Sequence, residues 1–288
     1  MFVKKSAILS CALLAAGLSC AHAAEWSDTS IGYRYGTKFA EPYNNSDITK
    51  NIFNLTHVSG YKYGTNFFNA DMLLSDKNDS PTTNGVPNKQ SSGQEVYVVY
   101  RHTLDLGKVT GTPDTFKFGP VRGLGLTAGF DYNNKSGDGY ESKKHMLVAG
   151  PTVMFDVPGF LNLSLLELWE SNAPSGHPQR YSYDPHPMLT AAWGIPFSLG
   201  PVNLSFEGFA NFIASKGQNE FGGNTKPETN IDAQIMYDAS SLFSASKNTF
   251  KVGLEYQYWR NKFGNDHTGA AGDGAFAKTP MIRAEYHF

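Results

Sequence analysis

From Phe250 to Trp259 the chain alternates without a break. Phe250, Val252, Leu254, Tyr256 and Tyr258 form one row; Lys251, Gly253, Glu255, Gln257 and Trp259 form the other. Strand side chains point to opposite faces with period two, so one face here suits hydrocarbon and the other suits water. The pattern recurs at Ile282, Ala284, Tyr286 and Phe288 against Arg283, Glu285 and His287. It recurs again at Leu124, Leu126, Ala128, Phe130 and Tyr132 against Gly123, Gly125, Thr127, Gly129 and Asp131. A membrane-crossing helix needs about 20 apolar residues, whereas a tilted strand needs only about 9–11. No stretch beyond the leader holds so long an apolar block, so the chain would cross a membrane with strands.

Twelve strands are expected, at 27–36, 50–59, 65–75, 94–104, 122–133, 144–155, 160–170, 188–199, 202–214, 229–239, 249–260 and 281–288. Those at 144–155, 160–170 and 188–199 alternate less cleanly, which predicts bulges or inward apolar residues there. Long polar connections (38–47, 76–93, 134–143, 171–185, 215–227 and 261–278) alternate with shorter ones. An even count puts both termini on the short-turn side, the periplasm. In lipid every backbone N–H and C=O must be paired, so the sheet must close on itself. The fold class is therefore all-β, a 12-stranded antiparallel transmembrane β-barrel of the bacterial outer membrane. Its bore should be a narrow passage divided by inward side chains.

Residues 1–23 read as a secretory signal peptide. Lys4 and Lys5 start it, Ala7 to Leu18 is apolar, and Ala21-His22-Ala23 precedes the cut. Residues 24–288 then form a single barrel domain. Both cysteines, Cys11 and Cys20, lie in the leader, so disulfide and thiol chemistry are excluded from the mature chain. There are 24 basic and 26 acidic residues, two of the basic ones in the leader, which argues against nucleic acid as a partner.

Several site motifs fail. Gly123, Gly125 and Gly129 sit at strand parity with no helix to follow, unlike a dinucleotide loop. Asp76 to Ser80 hints at a calcium loop, but Pro81 stands where a turn glycine is needed and no Glu closes it. His145, His177, His186 and His267 lack zinc-ligand spacing. No serine stands in a recognisable hydrolytic setting. No enzyme activity, cofactor or metal is expected.

The inward row carries Arg34, Lys50, Asp71, Glu95, Arg101, Asp131, Glu207, Asp232, Lys251, Glu255, Arg283 and Glu285. It also carries the aromatics Phe67, Tyr97, Phe209 and Trp259. Charges there either offset one another or hold a polar solute, and aromatic faces stack on bases and sugars. The candidate solute-binding set is Phe67, Asp71, Glu95, Tyr97, Arg101, Glu207, Phe209, Asn211, Glu255, Trp259 and Arg283. Arg283 is expected near Glu255 and Trp259. Tyr33, Tyr35, Tyr132, Tyr237, Tyr258 and Tyr286 fall on the outer row, as girdle residues would.

Three stretches resemble the nucleoside-specific channel-forming outer-membrane porins, the Tsx-like family. They are 157–165 (Val-Pro-Gly-Phe-Leu-Asn-Leu-Ser-Leu), 204–212 with its Gly-Phe-Ala-Asn-Phe, and 250–259 with the closing Tyr286-His287-Phe288. The hairpin 50–56 and 71–76 resembles the broader branch. The loops 76–93 and 264–273 depart from the family. The resemblance implies a monomeric barrel that passes nucleosides by diffusion. It also implies phage or colicin receptor roles for outer loops. Expected partners are nucleosides or similar small solutes, outer-membrane lipid, and the barrel-assembly machinery reading the strand that ends at Phe288. The alternative function is a structural or adhesive barrel with a plugged lumen, working through its loops.

Overall fold

The computed structural model describes residues 24–177 and 179–288; the expected signal peptide lies outside the described residues. Twelve long strands form the wall. They are β1 (Trp26–Phe39), β2 (Ile48–Tyr61), β3 (Gly64–Ser75), β4 (Gln94–Asp105), β5 (Val121–Ser136) and β6 (His145–Phe155). The chain continues through β7 (Phe160–Asn172), β8 (His186–Leu199), β9 (Val202–Ile213), β10 (Glu228–Asp238), β11 (Phe250–Arg260) and β12 (Phe276–His287). Each pairs antiparallel with its sequence neighbours. β1 also pairs with β12, Ile31 opposite Tyr286 and Arg34 opposite Arg283, so the sheet closes and no long edge remains. A two-residue strand, Tyr181–Ser182, extends beside β7, and a tiny hairpin joins Thr82–Thr83 to Val86–Pro87.

Face assignment follows the pleat. Leu165 is 54% exposed, while its neighbour Leu166 is 1% exposed inside the barrel. The outer row holds exposed Ile31, Phe53, Leu55, Leu126, Leu147, Leu254 and Ile282. A closed sheet with an apolar outer band and a polar interior is a transmembrane barrel, because burying that band in water would cost what lipid removes. Among the described residues no helix is long and apolar enough to cross a membrane.

The three ragged strands carry inward apolar residues. Val148, Leu166, Leu168 and Met188 form one buried cluster, with Met146 and Ile213 against it. β7 breaks the pattern twice, with inward Leu166 and Leu168 and with Glu167 in its outer row. Strand ends also differ from the sequence reading. β12 starts at Phe276, five residues before the alternation becomes visible. Its inward Ala277 and Met281 are apolar and its outward Lys278 is charged, which hides the period.

The short-turn end holds 62–63, 156–159 and 200–201, plus the longer 106–120 and 239–249. Segment 106–120 includes a one-turn helix α1 (Leu106–Thr110) whose first turn is capped by the Asp105 side chain on the Lys108 N–H. In the turn after β6, Gly159 has φ +77°, and an added Cβ would meet the Gly194 carbonyl at 2.0 Å. The other end carries the six long loops, and they fold back over the barrel mouth.

Candidate functional site

All twelve inward charges expected from the alternation lie on the lumen face, and opposite signs meet across several strands. Arg34 on β1 reaches Asp71 on β3 at 2.5 Å and Glu255 on β11 at 3.2 Å. Arg283 on β12 holds Glu255 at 2.9 Å and Glu285 at 2.6 Å. Its Nη1 also donates to Gln234 Oε1. Three of the candidate set, Asp71, Glu255 and Arg283, are thus brought together around Arg34. Asp232 and Glu255 are almost fully buried. Charges so placed survive only when each has a partner, because desolvation otherwise exceeds the Coulombic gain.

A second group lies on β4 and β5. The Tyr97 hydroxyl donates to Asp131 Oδ2 at 2.7 Å, and Arg101 donates to Asp131 Oδ1 at 2.5 Å. Phe67 stands opposite Arg101 in register and is 38% exposed, although its parity is inward. On β9, Glu207 accepts from Ser205 and faces Lys251 at 3.4 Å. Asn211 accepts from Thr190 at 2.6 Å, and Phe209 stands opposite Asp232. The strand order sets these charges against an unlike wall. β10 to β3 carry Asp232, Glu255, Arg283, Arg34 and Asp71, and β6 to β8, on the far side, carry the Val148, Leu166, Leu168 and Met188 cluster.

Glu95 and Trp259 sit apart, at the long-loop end. Asn133 donates to Glu95, whose carboxylate is 4.0 Å from the Lys50 ammonium. Trp259 does not join Arg283, contrary to the sequence reading. Trp259 pairs with Ala277 on β12, whereas Gly253 is opposite Arg283. Six residues along a strand span about 20 Å, which parity alone does not measure. Trp259 Nε1 instead donates to Glu228 at 3.1 Å, and its ring meets Phe263 edge-on at 4.8 Å.

The mouth itself is built by residues that alternation could not mark. Glu41, in loop 40–47, reaches Lys50 at 2.8 Å, Lys262 at 3.1 Å and Lys135 at 3.4 Å. Asp79 is 1% exposed and lies 2.9 Å from Lys135 and 3.6 Å from Lys50. The Asp76–Ser80 stretch therefore presents no free calcium carboxylate at Asp79; an ammonium takes that place. On the opposite side, Glu220 accepts from Tyr140, Tyr183 and Asn172. Lys216 binds both oxygens of Glu170 at 2.9 Å. The Lys144 ammonium lies 3.8 Å from the Phe263 ring centre, tying the 261–275 loop to the start of β6.

Burial alone would raise the Glu41 carboxyl, yet the ammonium groups of Lys135, Lys262 and Lys50 hold it well below the usual carboxylate range. Burial likewise opposes the charge on Glu220, and the Tyr140 and Tyr183 hydroxyls bring it down. Burial disfavours the Lys216 ammonium, and Glu170 and Glu228 more than offset it, raising its pKa. These loop groups are charged across the physiological range and latch the loops together. Among the described residues no group of three or more His, Cys, Asp or Glu is placed to hold a metal ion.

No protein-family model and no curated protein sequence matches this chain, so the nucleoside-porin resemblance rests on the segments quoted for it. Among solved structures, the chain is similar to a KdgM porin, at 12% identity over 90% of this chain and 99% of that one, with a TM-score of 0.39. It is similar to the translocator domain of the autotransporter NalP from Neisseria meningitidis, at 12% identity, 98% and 96% coverage and a TM-score of 0.42. Pseudomonas aeruginosa OpdK with vanillate aligns at 9% identity, 91% and 98% coverage and a TM-score of 0.28. No residue role is carried over from any of them, and the site stands on its own geometry.

Proposed function

We propose that this protein is a passive outer-membrane channel for small polar solutes, nucleosides among them, with both termini on the periplasmic side. One observation carries the reading: the lumen has two unlike walls. Asp71, Arg34, Arg283 and Glu255 offer donors and acceptors from β1, β3, β11 and β12. Val148, Leu166, Leu168 and Met188 fill the far side as a buried apolar cluster, which leaves that wall without charge. A nucleoside is itself two-sided, with a flat π-face on the base and hydroxyls on the sugar. Phe209, in register with Asp232, joins an aromatic face to a charged one. Transit then proceeds by weak, successive contacts, loose enough to release at each step. No bond is made or broken in the solute.

Conductance of the purified barrel in planar bilayers, with adenosine or thymidine added, tests this. Nucleosides should reduce the ion current in a concentration-dependent way. A steady current indifferent to nucleosides would remove the nucleoside reading, and no current at all would remove the channel. A second reading, a structural or adhesive barrel working through its loops, is favoured by the latched mouth around Glu41 and Glu220. It predicts the second outcome.

A further inference from the structure

The lipid-facing wall carries a groove of about 610 Å³ across the seam where β12 meets β1. Two register rows of outward side chains border it. Ala284, Tyr33, Phe53 and Met72 form one row, and Tyr286, Ile31, Leu55 and Ala70 form the other. Between them run Glu285, Gly32, Asn54 and Asp71, whose side chains turn into the lumen, so backbone floors the groove. Rows two residues apart are separated by about 7 Å, which large side chains normally fill. Here each row carries an alanine, and both tyrosines lean away from the gap. The Tyr33 hydroxyl donates to Asn51 Oδ1 at 2.6 Å, on the long-loop side. The Tyr286 ring packs on Phe288, centroids 6.2 Å apart, on the short-turn side.

The groove climbs obliquely. It starts at Phe250, the first residue of β11 at the short-turn end, and reaches Val96, the third residue of β4 at the long-loop end. At its low end the apolar surface continues past the wall. Phe243 meets Phe250 edge-on at 5.0 Å. Leu242 and Phe243, on the single turn Ser240–Phe243, are 70% and 64% exposed. Apolar side chains so exposed at a barrel rim suit the headgroup boundary of a bilayer. Lys247 is exposed on the same connection. Its acidic neighbour Asp238 is committed to the Ser240 and Asn248 N–H groups.

A groove within the apolar band meets hydrocarbon, and an unfilled one forfeits its contacts. A second copy related by a twofold axis would set groove against groove and leave both unfilled. We propose that the groove holds one acyl chain of a phospholipid from the periplasmic leaflet, with its phosphate on Lys247 and the Leu242–Phe243 turn seated at the headgroup boundary. The lysine supplies the cation that an anionic headgroup attracts. The site rests on the periplasmic placement of the short turns only for which leaflet supplies the lipid, and it stands whether or not the barrel conducts.

The test is native mass spectrometry of the detergent-solubilised barrel titrated with dioleoyl phosphatidylglycerol. The native chain should retain one lipid. Ala70→Trp with Ala284→Trp fills the groove and should weaken that binding at least tenfold, whereas Leu165→Trp on the far wall should leave it unchanged. Lys247→Gln should weaken phosphatidylglycerol at least threefold and leave dioleoyl phosphatidylcholine unchanged. No lipid on the native chain, or equal retention after groove filling or after Lys247→Gln, overturns the proposal. If the filled barrel does not fold, Ala284→Cys and Leu165→Cys each carry a fluorophore, since residues 24–288 hold no other cysteine. Quenching by a brominated-acyl phosphatidylglycerol at 284 and not at 165, at one lipid per barrel, supports the site. Equal quenching, or none at either, overturns it.

Discussion

Arg34 on β1 passes over β2 to meet Asp71 on β3, with 2.5 Å between Nη2 and Oδ2. The pair joins next-but-one strands inside the barrel, which backbone pairing cannot do. Arg34→Met strands Asp71 and half of Glu255's compensation. Removing one partner of a buried pair costs about 3–5 kcal/mol, and the residual solvent access of these groups, 11% and 15%, puts the expected loss at about 3. Urea unfolding in lipid or detergent measures it. Arg34→Met with Asp71→Asn should recover part of that loss, since neither charge is then left alone.

Glu41 gives the mouth a sign-definite response to acid. Its folded pKa is depressed by Lys135, Lys262 and Lys50 against the opposing effect of burial. Its charge therefore stabilises the closed mouth fully above the unfolded value, about 4.3, and that contribution is lost as pH falls through the lower folded value. Single-channel current should be flat from about pH 8 to about pH 5 and rise only in stronger acid. The Glu41→Gln barrel should show no such rise. A transition centred between those limits in the native chain would contradict the assignment to Glu41.

Gly274 packs against the backbone that carries Glu41. A Cβ there would lie 2.0 Å from the Glu41 carbonyl oxygen and 2.5 Å from that of Asn44. Gly274→Ala must push loop 40–47 away, at a cost of roughly 1–3 kcal/mol in the closed arrangement. It should raise the single-channel current at neutral pH while leaving the carboxylate present.

Phe209→Ala should weaken nucleoside block by about 1–3 kcal/mol, the range for stacking a base on an aromatic ring. The barrel should remain heat-modifiable on a gel, because Phe209 is only partly buried. Unchanged block would take Phe209 out of the solute path.

Leu165 and Leu166 are neighbours with opposite solvents. Leu165→Arg places a cation in lipid, at about 2–4 kcal/mol near the bilayer midplane. Leu166→Ala opens a cavity against Val148, Leu168 and Met188, at about 2–5 kcal/mol. A lipid-soluble quencher should reach a label at position 165 and not one at 166.

Alternation in the chain was enough to determine the twelve strands, the lipid-facing side of most of them, and twelve of the charges that enter the lumen; it did not mark Lys135, Glu170 or Glu228. The physical reason is local: one residue's parity follows from its neighbour's, so a pattern such as Phe250 to Trp259 states its own two faces. Parity held even at Phe67, which looks outward by exposure and is inward by register. It failed at β12's start and at Leu166 and Leu168, where lumen residues are apolar and the two faces read alike.

Height and partner choice were decided by the tertiary structure. Trp259 and Arg283 share a face and not a level, because the pairing register of β11 and β12 sets Gly253 opposite Arg283 and Trp259 opposite Ala277, six residues away. The mouth needed the fold entirely. Glu41 sits on a loop with no period, 94 residues before Lys135 on β5 and 221 before Lys262 on another loop, and only the closed wall brings their charges together. Loop carboxylates find their lysines through space, and nothing in the spacing along the chain encodes that meeting.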